Sequence, residues 1–278
     1  MERNKIKKFL IILILCCYVL TLNGCQSSHD FNFEIPQFDD YQLSEFTFNE
    51  YSNSTFDTYE NIDSDAILNA TQGNIYITNV SYNDEWWFSP TNNYSGSGVI
   101  FHETDNYYYA LTNAHVVERH RDYSYNLIEI LDYFDNKYNG FVYEGSLNTE
   151  LDLAIVVFEK DDITLPVLEI VDGEIFVGLG IIAIGNPLGE RNIITTGTVL
   201  KYQKTRTVDR YGDTKTNEFY SIIHSAETNS GSSGGMLLNF DLKIVGINYA
   251  GNHDEDNPEG FSIPSNMVVD YIQALIEQ

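Results

Sequence analysis

Three short stretches hold residue types that together could cleave an acyl bond. The first, Leu111-Thr112-Asn113-Ala114-His115-Val116-Val117, sets a histidine among small and apolar neighbours at the end of a strand-like run. Packing around such a ring would hold it in place and shield part of it. In the second, Glu150 to Phe158, Asp152 heads the apolar run Leu153-Ala154-Ile155-Val156-Val157-Phe158. A buried carboxylate without a partner is costly, so Asp152 is expected to accept from a donor. The third is Thr228-Asn229-Ser230-Gly231-Ser232-Ser233-Gly234-Gly235. A glycine-rich loop lets successive backbone N–H groups point inward and bind an oxyanion or a phosphate. The phosphate-loop pattern is absent, because no Lys follows the glycines.

Each stretch alone has a plain structural alternative: a core histidine, a strand-end aspartate in water, a flexible Gly/Ser loop. Their conjunction points to chemistry. A serine hydroxyl is a poor nucleophile near neutral pH unless a base takes its proton. A histidine base needs an acceptor on its other ring nitrogen to fix tautomer and orientation. The loop offers Ser230, Ser232 and Ser233 as hydroxyls. No metal or cofactor is expected. His115 and His120 lack the His-Glu-x-x-His spacing of a zinc helix, and the acidic run from His253 to Glu259 lacks the Asp-x-Asp-x-Asp-Gly order of a calcium loop.

Strands must position these residues. From Asp65 onward, short runs rich in Val, Ile, Tyr and Thr alternate with Gly, Asn, Asp and Pro. Ten of them are Asn74–Val80, Gly98–His102, Tyr107–Thr112, Leu127–Leu131, Leu153–Phe158, Gly180–Ile184, Ile194–Tyr202, Glu218–His224, Met236–Asn239 and Lys243–Tyr249. That texture predicts an all-β sandwich or barrel over residues 66–278. Ser265 can cap a helix, and Met267, Val268, Tyr271, Ile272, Leu275 and Ile276 recur at helical spacing. This predicts a C-terminal amphipathic helix lying on the barrel.

The charge is uneven. The chain has 278 residues, 41 acids and 15 bases, a formal net charge of −26. That balance excludes nucleic acid as the main partner and a basic patch on anionic lipid. Four bases (Arg3, Lys5, Lys7, Lys8) precede the uncharged apolar run Phe9–Leu22, the pattern of a secretory signal peptide over residues 1–24. Leu22-Asn23-Gly24-Cys25 resembles a bacterial lipobox. The resemblance implies cleavage before Cys25, acylation of its sulfur, and a lipid-anchored chain facing away from the cytoplasm. Cys16 and Cys17 would leave with the signal peptide, so no disulfide could form within the remaining chain. Residues 26–65 hold ten acids, nine aromatics and no Lys or Arg. They read as a solvated tether, with the aromatics raising docking or partner binding as the alternative. Removing residues 1–24 leaves 40 acids against 11 bases, net −29, which would bias a cleft toward basic substrates.

The order His115, Asp152, Ser233, with separations of 37 and 81 residues, resembles that of the chymotrypsin-like serine proteases. The closer resemblance is to the protease domain of the HtrA family. It is carried by Gly96-Ser97-Gly98-Val99-Ile100, Thr112 to Val117, Asp152 to Ile155, Ala183-Ile184-Gly185-Asn186-Pro187-Leu188-Gly189, Asn229 to Gly235, and Gly260 to Ser265. It implies two six-stranded β-barrels, about 66–172 and 173–263, with the active site between them. It also implies a serine endopeptidase acting on proteins or peptides, with Ser233 as nucleophile, His115 as base, Asp152 orienting it, and Gly231, Ser232 and Ser233 forming the oxyanion hole. Met236 and Ser230 stand where the family usually has Pro, which would loosen that loop. Glu227, six residues before Ser233, matches the base of the primary specificity pocket in trypsin-like enzymes, where a carboxylate would favour Lys or Arg. Gly246-Ile247-Asn248 would be the edge strand that pairs with substrate. Two alternatives remain: a surface lipoprotein using the fold to bind protein, and a glutamyl endopeptidase of the same fold.

Overall fold

The computed structural model describes residues 43, 49–50, 58–83, 91–252 and 258–277. The expected signal peptide, Cys25, most of the 26–65 stretch and residues 253–257 of the acidic loop lie outside them. The described strands begin with β1 (Asn49–Glu50), β2 (Asn74–Tyr82), β3 (Asn92–Glu103), β4 (Tyr107–Thr112), β5 (Tyr125–Leu131), β6 (Lys137–Val142), β7 (Ala154–Glu159) and β8 (Val171–Asp172). They continue with β9 (Gly180–Gly185), β10 (Ile193–Gln203), β11 (Arg206–Val208), β12 (Thr214–Thr216), β13 (Ser221–His224), β14 (Met236–Asn239), β15 (Ile244–Gly251) and β16 (Gly260–Pro264).

Two closed antiparallel barrels account for most of these strands. The first is ordered β2-β3-β4-β7-β6-β5, the second β10-β13-β16-β15-β14-β9. Closure pairs every strand on both sides and removes the exposed edges an open sheet would carry. Each of the ten strand runs expected from composition overlaps one of these strands, the largest difference being Glu218–Tyr220, which precede β13. Each barrel encloses its own apolar core. Ile75, Ile77, Ile100, Tyr108, Val156 and Phe158 fill the first. Ile181, Val199, Ile222, Leu237 and Val245 fill the second.

Elements outside the barrels hold the assembly together. A helix at Ser64–Gln72, capped by the Asp63 side chain on the Asp65 N–H, precedes β2 and buries Ile67 and Ala70. Leu43 is buried, and β1 pairs in parallel with β8. The C-terminal helix runs Ser265–Ile276 and buries Val268, Tyr271, Ile272 and Leu275 as its spacing predicts, together with Val269, while Met267 and Ile276 are half-buried. Pro264, not Ser265, occupies the capping position, and Ser265 is the first helical residue. The Tyr271 hydroxyl donates to the Ser146 carbonyl of the first barrel, so this helix spans both barrels.

The seam between the barrels is polar and fully buried. Asn186, just after β9, donates through Nδ2 to Ile75 O at 3.0 Å and Ser97 Oγ at 3.1 Å. Its Oδ1 accepts from Asn74 Nδ2 at 3.1 Å, and its N–H donates to Ser97 Oγ at 2.9 Å. Removing this side chain would strand several buried partners at once, each worth about 1–3 kcal/mol when left unsatisfied. Asn186→Ala is therefore expected to lower unfolding stability by about 3 kcal/mol, read as a drop in urea midpoint with an unchanged m-value.

Candidate active site

His115 lies in a single helical turn, Ala114–Val117, that follows β4 directly. Ala114, Val116 and Val117 are buried, so the turn is fixed by packing and the imidazole is left 40% exposed toward the cleft. Asp152 lies in the turn before β7. Its backbone takes φ of +59°, a left-handed conformation that Asp tolerates better than most residues. The Asn148 carboxamide builds that turn by accepting from the N–H groups of Glu150 and Leu151. Asn113 Nδ2 then clamps it by donating to Asp152 O at 2.9 Å.

The two residues meet through both oxygens of one carboxylate. His115 Nδ1–H donates to Asp152 Oδ2 at 2.8 Å, and the His115 backbone N–H donates to Oδ1 at 3.0 Å. With Nδ1 as donor, Nε2 carries the lone pair and is the ring atom able to act as a base. The expected donor partner of Asp152 is thus His115.

Ser233 comes from the second barrel. Gly234, at φ +83°, passes so close to the first barrel that a Cβ there would sit 2.1 Å from Ser97 O and 2.4 Å from Thr112 Oγ1. Only glycine fits, and Ser97 N–H donates to Ser233 O at 2.7 Å across the same contact. Gly234 N–H donates to Asn248 O, and Asn248 N–H to Gly235 O, pinning the loop to β15. The Ser233 hydroxyl donates to Tyr249 O at 3.2 Å. Among the described residues the backbone N–H groups of Gly231 and Ser233 meet no backbone acceptor, and both residues line the cleft. Ser230 O, by contrast, accepts from Leu188 N–H at 2.7 Å, and Gly231 O from Ser97 Oγ at 2.8 Å. The loop that Ser230 and Met236 were expected to loosen is therefore tied at both ends. Met236 is fully buried and pairs with Ile247 and Ile184.

These residues border a cleft of about 680 Å³ lined from both barrels. Ser233, His115 and the Asp152 carboxylate, carried by three separate turns, converge there. A family model for the trypsin-like peptidase domain matches residues 96–247. The chain belongs to the trypsin-like peptidase family. Among its curated relatives are the serine protease Do-like HtrA of Bacillus subtilis, 34% identical over 66% of this chain and 40% of the relative, and HtrB of the same organism, 31% identical over 65% and 38%. The putative serine protease HhoB of Synechocystis is 33% identical over 61% and 37%. The chain spans about two fifths of the length of these relatives.

Two expectations from the trypsin-like pattern need correction. Gly246, Ile247 and Asn248 are not an edge. Gly246 and Ile247 pair with β14 on one side and β16 on the other, and both backbone groups of Asn248 are used by Gly234 and Gly235. Past the end of β14 the strand continues through Tyr249 and Ala250, which do line the cleft, with Tyr249 O taken by the Ser233 hydroxyl. Glu227 is exposed, held by Asn229 Nδ2 at 3.1 Å, and is not among the cleft residues. Its carboxylate has turned to solvent, where hydration is retained.

Residues that the sequence reading passed over complete the surroundings. A hairpin of β11 and β12 reaches from the second barrel across the cleft. Arg210 in its turn donates to His115 O and, at 3.5 Å, to Glu118 O, with its guanidinium 4.2 Å from the Tyr94 ring. Lys215 donates to Thr149 O and Glu150 O, beside Asp152. At the hairpin base the Tyr249 hydroxyl joins Thr205 Oγ1 and Ser221 Oγ. The turn Asp209-Arg210-Tyr211-Gly212 was the available signal: Asp209 caps Tyr211 and Asp213, and Gly212 takes φ +84°.

Beneath the site His224 is fully buried. Ser262 Oγ donates to Asn248 Oδ1, so His224 Nε2–H donates to Ser262 Oγ at 3.0 Å. Burial pushes the imidazole down to about 4 from 6.5. A base with a depressed native pKa keeps its full stabilising effect above the unfolded value. Between about pH 6.5 and 4 the unfolded chain alone binds the proton, so stability falls as pH drops. His224→Gln is expected to flatten that window in urea titrations, removing a slope of at most about 1.4 kcal/mol per pH unit.

Proposed function

We propose that the chain is a serine endopeptidase of the trypsin-like family, with His115, Asp152 and Ser233 as its triad. The observation that carries this reading is the doubly bonded His115–Asp152 pair placed in one cleft with a serine hydroxyl and two unspent amides. Names of the relatives as serine proteases support it.

The steps follow from the geometry. In the unliganded chain the Ser233 hydroxyl rests on Tyr249 O. A side-chain rotation about χ1 hands that proton to His115 Nε2 when a peptide carbonyl is seated. Ser233 Oγ attacks the carbonyl carbon, and the developing oxyanion is received by the N–H groups of Gly231 and Ser233, with Ser232 between them. Asp152 stabilises the imidazolium through Nδ1–H without taking its proton. The imidazolium protonates the departing amine, and water then repeats the sequence to free the acyl group.

Polypeptide is the substrate this reading assigns, and the stretch of β15 past the end of β14, at Tyr249 and Ala250, is where it would pair. Acylation of Cys25 would hold the enzyme at a membrane, on the side away from the cytoplasm. The lipobox-like sequence supports that placement. No metal or cofactor has a part in these steps.

A fluorophosphonate probe tests the nucleophile at pH 7–8. Wild type is expected to label and Ser233→Ala to remain blank; an unlabelled but folded wild type would remove the enzyme reading and favour a binding lipoprotein. Asp152→Asn is expected to lower kcat by about three to four orders of magnitude, measured on a cleaved protein substrate. Metabolic labelling with a palmitate analogue checks the anchor: label is expected in the intact chain and absent in Cys25→Ala.

A further inference from the structure

The cleft is less acidic than the chain as a whole, with three acids and two bases in its lining. The chain carries 41 acids against 15 bases. Among the described residues, Arg121, Lys137, Lys160, Arg191, Lys201, Lys204 and Lys243 each have a carboxylate within 4.0 Å. Arg119, Arg206, Arg210 and Lys215 are in no such pair, and the last two line the cleft. Both are held there by neutral oxygens. Arg210 donates to the carbonyls of His115 and Glu118, and Lys215 to those of Thr149 and Glu150. A carbonyl fixes the position of a cation without cancelling its charge. Among the described residues neither cation has a carboxylate within 4.0 Å, and the two stand on either flank of the His115–Asp152 pair.

Three acids share the cleft lining: Glu118, Asp152 and Asp209. Asp152 is engaged with both donors of His115. Asp209 closes the hairpin turn by accepting from Tyr211 N–H at 2.8 Å and Asp213 N–H at 2.9 Å. Glu118 lies 3.5 Å from Arg210 only through its carbonyl. Glu227, the acid that would have drawn a basic side chain, is outside the cleft.

We infer that the hairpin carrying Arg210 and Lys215 is a specificity element that selects peptide substrates with Asp or Glu close to the scissile bond. The assignment rests on the endopeptidase reading above. It reverses the preference that net charge alone would suggest. Substrate carboxylates passing under the hairpin would supply the counter-charges that the fold withholds, and Arg210 offers further N–H groups beyond the two used on carbonyls.

The test uses the full-length chain and internally quenched peptides that share one cleavable core. Glu, Gln or Lys is placed in turn at each of the three residues on either side of the scissile bond. Glu is expected to exceed Gln in kcat/KM by roughly three- to tenfold at one or more positions, the range two partly exposed ion pairs supply. The advantage should shrink in about 0.5 M salt, where exposed charges are screened within a few ångströms. Lys215→Glu is expected to turn Glu preference into Lys preference at the position it governs, each rate read against the Gln peptide so that any general loss cancels. Glu and Gln turned over alike at every position would overturn the assignment, as would a preference untouched by Lys215→Glu and Arg210→Gln. Kd values of the same peptides for Ser233→Ala read the charge preference without turnover. A Glu preference in binding, with no cleavage and no probe labelling by wild type, would sink the endopeptidase reading and keep the anionic cleft specificity. Labelling and cleavage with a flat series would do the opposite.

Discussion

One carboxylate sets the requirements for the rest of this site. Asp152 spends both oxygens on His115, one on the backbone N–H and one on the ring. Two contacts to one residue fix the position of the turn as well as the orientation of the ring. The tautomer follows, because Nδ1 must carry the proton, and Nε2 is then the only ring atom able to act as a base. For this to hold, the Asp152 turn must be as rigid as the histidine turn. The buried runs of β4 and β7, paired along their length, provide that rigidity by carrying the two turns on adjacent strands of one barrel. The left-handed backbone of Asp152 is the local strain the arrangement tolerates, and the Asn113 and Asn148 side chains hold it.

The second constraint is that Ser233, the proposed nucleophile, belongs to the other barrel. The two barrels must therefore keep register to within a hydrogen bond. Ser97, Asn186 and Asn74 do this with a compact set of buried polar contacts, and Gly234 does it by permitting backbone to approach backbone. Polar contacts suit this seam better than apolar ones, because hydrogen bonds specify direction and distance whereas apolar packing tolerates sliding. The resting Ser233 hydroxyl then lies on Tyr249 O, whose own ring hydroxyl reaches the base of the hairpin. Ser233, the end of β15 and the hairpin are thus joined in one continuous set of bonds.

The hairpin also separates local from global electrostatics. Net charge is a property of the whole surface, and screening confines its influence to about a Debye length. Inside a cleft the groups within a few ångströms decide what is attracted. Arg210 and Lys215 occupy that range, and of the many described acids Glu118, Asp152 and Asp209 share the lining with them.

Much of this was written in the chain order of residue types. Strand runs, the C-terminal helix, the three chemistry-bearing stretches and the likeness to a two-barrel protease all follow from local pattern, because alternation, glycine placement and motif spacing are local properties. Tertiary structure decided what pairs with what. It closed Gly246–Asn248 inside a barrel when an edge was expected, since a strand's free side depends on where its neighbour ends. It turned Glu227 out to water and brought Arg210 in, since a side chain's direction depends on loop path. It tied down a loop that contains no proline, using Leu188 and Ser97 from distant positions. The sequence by itself determined which residues could do chemistry; the long-range contacts alone determined which of them meet, and what charge surrounds them.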